Sequence, residues 1–212
     1  QNGRTPAPMC VIDMGSNSFK RIVGSFQHGR YEQATLEKKT LGVGDDVARN
    51  ARISDGKLRE IEETLAGFSR SCGTVAKSAI GTAAFRDAAN GARAVEIAAK
   101  FGIPMEIATE QRESELAYLV ASLGQDGYAV IDNGSRSIEL VSKEAGGELR
   151  WSVFDLGYRV AWERFFAGAQ SGRAAVRAFQ VPLRSEAARA AFLRGQRRLV
   201  GVEFEEMAEL LF

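Results

Sequence analysis

The sequence predicts an α/β protein of two lobes, each with a mixed sheet and flanking helices, and a cleft between the lobes. Three observations carry this expectation. Short apolar runs of strand length alternate with segments of helical period and with glycine-bearing turns. A nine-residue segment, Val11-Ile12-Asp13-Met14-Gly15-Ser16-Asn17-Ser18-Phe19, returns as Val130-Ile131-Asp132-Asn133-Gly134-Ser135-Arg136-Ser137-Ile138 with six positions identical. A length of 212 residues is enough for two small cores or one large one.

Residues 11–13, followed by Gly15 and the apolar run 19–26, read as two strands around a tight turn, with 31–40 as a weaker third. Ser54 caps a helix whose Leu58, Ile61, Leu65 and Phe68 recur at helical spacing and which Gly73 ends. Strand 75–80, a helix over 92–100 closed by Gly102, and strand 104–107 follow. Glu113 opens a helix with Leu116, Ala117, Val120 and Leu123 on one face, and Gly124 and Gly127 return the chain to a strand at 128–132. The order strand, turn, strand, strand then begins again through 138–142 and 149–154. Helices over 160–166 and 186–194, a strand at 199–202 and a closing helix to Phe212 complete the reading. The boundary falls near Gly124 to Gly127, giving lobes 1–125 and 126–212.

Hydrophobic content of 45% and charged content of 26% fit an ordinary globular protein and argue against a disordered chain. No apolar run approaches the roughly 20 residues that span a bilayer, and residues 1–8 lack the apolar core of a signal peptide. The expected location is the cytoplasm, with no membrane partner. Cys10 and Cys72 sit in apolar-flanked segments without metal-ligand spacing and are read as reduced and buried, with a disulfide as the alternative. Between Arg159 and Arg198, nine arginines stand against two acids, Glu163 and Glu186. That excess suits a polyanion or, equally, solvated helix faces. His28, the single histidine, receives no role, and Trp151 and Trp162 are read as packing residues.

The repeated hairpin carries the chemistry. In each copy an apolar strand delivers a carboxylate, Asp13 or Asp132, and a turn of Gly and Ser then exposes backbone N–H groups and hydroxyls suited to phosphate. An acid beside an anion site repels its ligand unless a divalent metal lies between them, and Mg2+ is the natural candidate. No G-x-x-x-x-G-K-[ST] and no G-x-G-x-x-G after a strand occurs, which argues against Walker-type and dinucleotide-binding sites.

Duplicated acidic hairpins in two lobes resemble the plan of the actin-like (ribonuclease H-like) superfamily of sugar kinases and heat-shock ATPases. Within it, the residues resemble the exopolyphosphatase and guanosine pentaphosphate phosphatase family. Ile12-Asp13-Met14-Gly15-Ser16-Asn17-Ser18 stands for that family's I-D-[LI]-G-S-N-S, Leu41-Gly42-Val43-Gly44 for L-G-x-G and Arg52-Ile53-Ser54 for R-[LI]-S. Residues 82–90 match T-x-A-x-R-x-A-x-N, which puts Arg86 at the family arginine. Residues 109–118 are similar to S-G-x-E-E-A-R-L-I-Y, which places Glu113 at the catalytic glutamate. Asp132 then falls on the metal aspartate of I-D-I-G-G-G-S-T-E-L, Glu139 on its final acid, and residues 154–157 on the P-L-G that ends the next strand.

The resemblance implies Mg2+-dependent hydrolysis of a terminal phosphoanhydride in inorganic polyphosphate or guanosine pentaphosphate. Glu113 would be the base, and Asp132 and Glu139, with Asp13, the metal acids. Gly15, Ser16, Asn17, Ser18, Arg86, Gly134, Ser135, Arg136 and Ser137 would hold phosphate. It further implies pairing into a homodimer and no sequence-specific nucleic acid.

The sequence also departs from the pattern. The glycines of G-G-G-S-T give way to Ser135 and Arg136, which hinders bare backbone approach but offers a guanidinium to phosphate. Arg112 stands beside Glu113, where it would lower the glutamate's pKa. The later G-G-T element survives only as a remnant at Val200-Gly201-Val202-Glu203-Phe204. These departures support an alternative, a relative that binds a polyphosphate or nucleotide ligand as a sensor or interaction subunit without turning it over. A kinase-like use of ATP is the weakest reading.

Overall fold

The computed structural model describes residues 7–27, 30–168, 172–189 and 198–202. They fall into two compact units, Gln1–Thr109 and Glu110–Phe212. In the first unit, strands β1 (Met9–Met14), β2 (Ser18–Gln27), β3 (Arg30–Thr40), β4 (Ala76–Gly81) and β5 (Met105–Ile107) form one sheet in the order β3-β2-β1-β4-β5. The hairpins β1–β2 and β2–β3 are antiparallel, whereas β1–β4 and β4–β5 are parallel. Helices α1 (Val43–Asn50), α2 (Asp55–Cys72), α3 (Ala83–Asp87) and α4 (Ala92–Lys100) connect them.

The period-two pattern of β1 sends Cys10, Ile12 and Met14 into a core with α2 and α4, and leaves Asp13 on the opposite face. Helix α2 follows its predicted stripe. The Ser54 side chain accepts the Lys57 N–H at 3.3 Å, and Leu58, Ile61, Leu65 and Phe68 are buried. Helices α1 and α3 were not expected. Each is too short to show a helical period, and α1 anchors only Val43 and Val47 of its apolar residues in the core.

Cys10 and Cys72, expected to be reduced, are instead joined in a disulfide with Cα atoms 5.8 Å apart, a separation that a bridge accommodates. The bond ties β1, the strand carrying Asp13, to the last turn of α2.

In the second unit, β6 (Tyr128–Asn133), β7 (Ile138–Lys143), β8 (Leu149–Phe154) and β9 (Arg198–Val202) form a sheet in the order β8-β7-β6-β9. Pairing is antiparallel in the two hairpins and parallel for β6–β9, which repeats the β3-β2-β1-β4 arrangement of the first unit. Helix α5 (Glu110–Ser122) packs its Ala117 and Tyr118 against Val130 and Val141 of this sheet. The division therefore lies before α5, ahead of the expected boundary after residue 125.

The buried stripe of α5 also differs from the expected one. Ser114, Ala117, Tyr118 and Ser122 face inward, while Val120 and Leu123 are 68% and 71% exposed. Small Ser and Ala side chains let the helix lie close to the sheet. The Tyr118 hydroxyl donates to the Gln125 carbonyl at 2.8 Å, and the Ser122 hydroxyl to the Tyr118 carbonyl at 2.7 Å.

The other face of the sheet packs Ile138, Leu140, Phe154 and Leu156 with Ile131, Phe165 and Phe179. The chain covering it is α6 (Tyr158–Ala161), a π-helical turn Trp162–Phe166 and α7 (Gly172–Arg189). Helix α7 begins well before the expected 186, because its alanines and arginines favour helix and Pro182 is accommodated inside it. Residues 190–194, the closing helix after Val202, the Glu203-Phe204 remnant and His28 lie outside the described residues.

Asn133 pairs with Ile138, so its side chain shares this apolar face. It is 1% exposed, and among the described residues neither amide atom has a hydrogen-bond partner. A buried amide of this kind costs about 1–3 kcal/mol. Asn133→Leu is therefore expected to raise the unfolding free energy by that margin, read as a higher urea midpoint at an unchanged slope, and an unchanged or lower midpoint would show that the amide is satisfied.

Candidate active site

Parallel strands gather loops at their carboxyl ends, where open α/β sheets bind ligands. In the first unit that end holds the turn Gly15, Ser16, Asn17 and Ser18. The Gly15 N–H donates to the Ser18 carbonyl at 3.1 Å and closes the turn. A Cβ on Gly15 would lie 3.0 Å from that same oxygen. The Asn17 carbonyl accepts from the N–H groups of Leu41 and Gly42 at 2.9 and 2.8 Å, and the Ser16 carbonyl from Gly44 at 2.7 Å. The L-G-x-G segment thus backs the turn from behind by taking up its carbonyls.

The end of β4 joins the same edge. The Thr82 N–H donates to the Met14 carbonyl at 3.3 Å, and Arg86 in α3 donates from Nη1 to the Ala108 carbonyl just after β5 at 2.8 Å. Asn90 and Asp46 are structural clasps. Asn90 bonds both the N–H and the carbonyl of Ile53, at 2.8 and 2.9 Å, and Asp46 accepts the Ser54 N–H at 2.7 Å.

Asp13 pairs across the sheet with Lys20. Burial raises the carboxyl pKa and the Lys20 charge pulls it back. Lys20 was not singled out in the sequence, although it occupies the position next after the repeat, where the second copy has Glu139.

In the second unit the corresponding pair is Asp132 and Glu139, two carboxylates directly opposite on β6 and β7. Opposed side chains of this kind have Cβ atoms about 5 Å apart. Glu113 lies in the first turn of α5. Helix α5 packs on the sheet face that carries Val130 and hence Asp132. Glu139 is 5% exposed, and its pKa is pushed up to about 7 by burial and then by the charges of Asp132 and Glu113, against a lowering hydrogen bond from Ser137. Arg112 forms an exposed ion pair with Glu115 at 3.5 Å. Ser114, beside Glu113, is fully buried with an unpartnered hydroxyl among the described residues.

This shift has a consequence for stability. The folded pKa lies above the ordinary value of 4.5, so the folded state holds more protons between the two. Stability is then full below about pH 4.5 and falls as pH rises through 7. At about 1.4 kcal/mol per pH unit the loss is roughly 3 kcal/mol. Denaturant unfolding of metal-free protein at pH 5 and pH 8 is expected to show this fall in the wild type and not in Glu139→Gln. Equal pH slopes in the two proteins would contradict it.

The second turn runs through Gly134, Ser135, Arg136 and Ser137. A Cβ on Gly134 would meet the Ser137 carbonyl at 3.3 Å, close to the arrangement at Gly15. Its carbonyls are backed as in the first unit. Those of Gly134, Ser135 and Arg136 accept from the N–H groups of Tyr158, Arg159 and Gly157 at 3.0, 3.1 and 2.7 Å.

Among the described residues no three His, Cys, Asp or Glu side chains converge closely enough to enclose a metal. The chemistry of the donor set still fits Mg2+. That ion binds through one or two carboxylates and completes its shell with water and phosphate oxygens, and its charge would offset both the burial and the neighbouring charges of Asp132 and Glu113 that raise the Glu139 pKa. Asp13 has Lys20 for a neighbour instead.

Two units that share a four-strand arrangement, each with an acidic strand and a Gly/Ser turn at the sheet's carboxyl end, define an actin-like fold. The chain belongs to the Ppx/GppA phosphatase family, whose model matches residues 22–201. Solved structures that share the fold include these three. A Ppx/GppA family member from Aquifex aeolicus is 24% identical with a TM-score of 0.77, over 92% of this chain and 65% of its own. An exopolyphosphatase from Cytophaga hutchinsonii is 22% identical with a TM-score of 0.73, over 96% and 69%. The ethanolamine utilization protein EutJ from Carboxydothermus hydrogenoformans is 15% identical with a TM-score of 0.52, over 94% and 78%. The chain thus spans about two thirds of the Aquifex protein's length. Among the described residues no helix is long and apolar enough to cross a membrane.

Proposed function

We propose that the protein is a Mg2+-dependent phosphoanhydride hydrolase that releases the terminal phosphate of inorganic polyphosphate or guanosine pentaphosphate. The observation that carries this reading is the electrostatic coupling of Glu113, Asp132 and Glu139 beside a Gly/Ser turn. Two carboxylates opposed on a sheet, with a third in the first turn of the helix that packs on it, are unfavourable for folding and are the donors and base that phosphoryl transfer needs.

Glu113 orients a water and accepts its proton as the water attacks the terminal phosphorus in line. Mg2+ held by Asp132 and Glu139 would offset charge on the phosphate oxygens. Ser135, Arg136, Ser137 and the turn N–H groups hold the transferring group, with the Arg136 guanidinium as a charge-assisted donor. Gly15, Ser16, Asn17, Ser18 and Arg86 are the phosphate-binding residues of this reading in the first unit.

A second reading, a binding subunit without turnover, is favoured by one observation, the side chains of Ser135 and Arg136 where the family motif has glycine. The two readings separate when wild type is incubated with Mg2+ and either long-chain polyphosphate or guanosine pentaphosphate. Phosphate release from one of them supports the hydrolase. Tight binding with no release from either sinks it and leaves the sensor.

A further inference from the structure

We propose that residues 157–159 are a backbone clamp that sets the second phosphate turn, with Gly157 its positioning residue. This rests on the phosphate-binding reading of that turn. Three consecutive N–H groups, of Gly157, Tyr158 and Arg159, take up the carbonyls of Arg136, Gly134 and Ser135. A peptide unit whose carbonyl is held on one side presents its N–H on the other. Among the described residues the N–H groups of Ser135 and Ser137 make no backbone bond in return. The clamp therefore leaves donors on the turn's open side, where a phosphate oxygen needs them.

Gly157 is required by proximity rather than by its own conformation. Its φ of −58° and ψ of 164° are open to any residue. A Cβ there would lie 2.4 Å from both the Arg136 carbonyl carbon and the Gly134 oxygen, and 2.6 Å from the Arg136 nitrogen. All three are backbone atoms, which cannot swing aside as a side chain can. Substitution must push the turn away or break the clamp. The glycines lost from the turn itself thus leave one indispensable glycine behind it, on the following strand-to-helix junction. In the first unit the Leu41-Gly42-Val43-Gly44 segment supplies the equivalent N–H groups.

Tyr158 provides an independent handle, because it is the first residue of α6 and Gly157 is its N-cap. Proline is well tolerated at that helix position, and the extended ψ of Gly157 suits a following proline. Tyr158→Pro deletes the N–H bonded to the Gly134 carbonyl, whereas Tyr158→Ala removes the phenol and keeps that N–H.

The test is binding of tripolyphosphate with Mg2+ by calorimetry, alongside the thermal midpoint of each protein. Gly157→Ala and Tyr158→Pro are expected to weaken binding by about tenfold or more, as a displaced ligand-holding group does, and Tyr158→Ala to retain wild-type affinity. If Gly157→Ala fails to fold, Tyr158→Pro against Tyr158→Ala decides alone. Wild-type affinity in both clamp variants, whatever their midpoints, overturns the proposal, as does a wild type that binds no tripolyphosphate. A wild type that binds it, loses it in the clamp variants and yet releases no phosphate from any chain upholds the clamp and refutes the hydrolase.

Discussion

Replacing Glu113 by Gln is expected to slow phosphate release by about 10²–10⁴-fold, the usual contribution of a positioned general base. Polyphosphate binding should change little, because the amide keeps the shape of the carboxylate and loses only its ability to take a proton. The substitution also removes one of the two charges that raise the Glu139 pKa. The variant should therefore bind Mg2+ with a carboxylate that ionises at lower pH. Single-turnover phosphate release and calorimetric binding, measured on the same preparation, separate these effects. Activity within a few-fold of wild type would remove Glu113 from the chemistry.

Asp132→Asn is expected to act in opposite directions on folding and on function. It removes the first charged neighbour of Glu139, so metal-free protein should become more stable above pH 7. The same change deletes one of the two carboxylates assigned to Mg2+. Loss of several kcal/mol of charge stabilisation, on the order of 10²-fold or more in rate, is expected. A gain in thermal midpoint without metal, combined with loss of Mg2+-dependent stabilisation and of phosphate release, is the signature of a site selected for a ligand over stability. Stability and activity falling together would instead mark Asp132 as an ordinary structural acid.

Much of the fold was legible because the repeat is local. The two hairpins carry the same residues at the same spacing, and β1–β2 and β6–β7 pair in the same register, with Met14 opposite Phe19 and Asn133 opposite Ile138. Asp132, Glu139 and Glu113 were nominated from the motif resemblance, and the charges of Asp132 and Glu113 both act on the buried Glu139 carboxyl. Contacts between distant segments were harder to read. The Cys10–Cys72 disulfide joins residues 62 apart, and no spacing rule announces it.

Helix α5 misled for a related reason. Val120, and Leu123 one position past its end, belonged to the expected stripe and are exposed, while Ala117 and Tyr118 pack on the sheet. Lys20 escaped notice, and Gly157 was marked only as the end of a strand motif, because their importance lies in what stands opposite them. One faces Asp13 across a hairpin, and the other touches the backbone of a turn some twenty residues earlier. Asn133 is the converse, a polar residue in a repeat dominated by function that occupies an apolar face without a partner.

The most direct test of the central claim is hydrolysis of polyphosphate by wild-type protein with Mg2+ in water enriched in ¹⁸O. Attack by a Glu113-oriented water on the terminal phosphorus predicts a single ¹⁸O atom in each released orthophosphate and none in the remaining chain, with the signal lost in Glu113→Gln. Absence of orthophosphate, or label appearing in the shortened chain in place of the released phosphate, would contradict it.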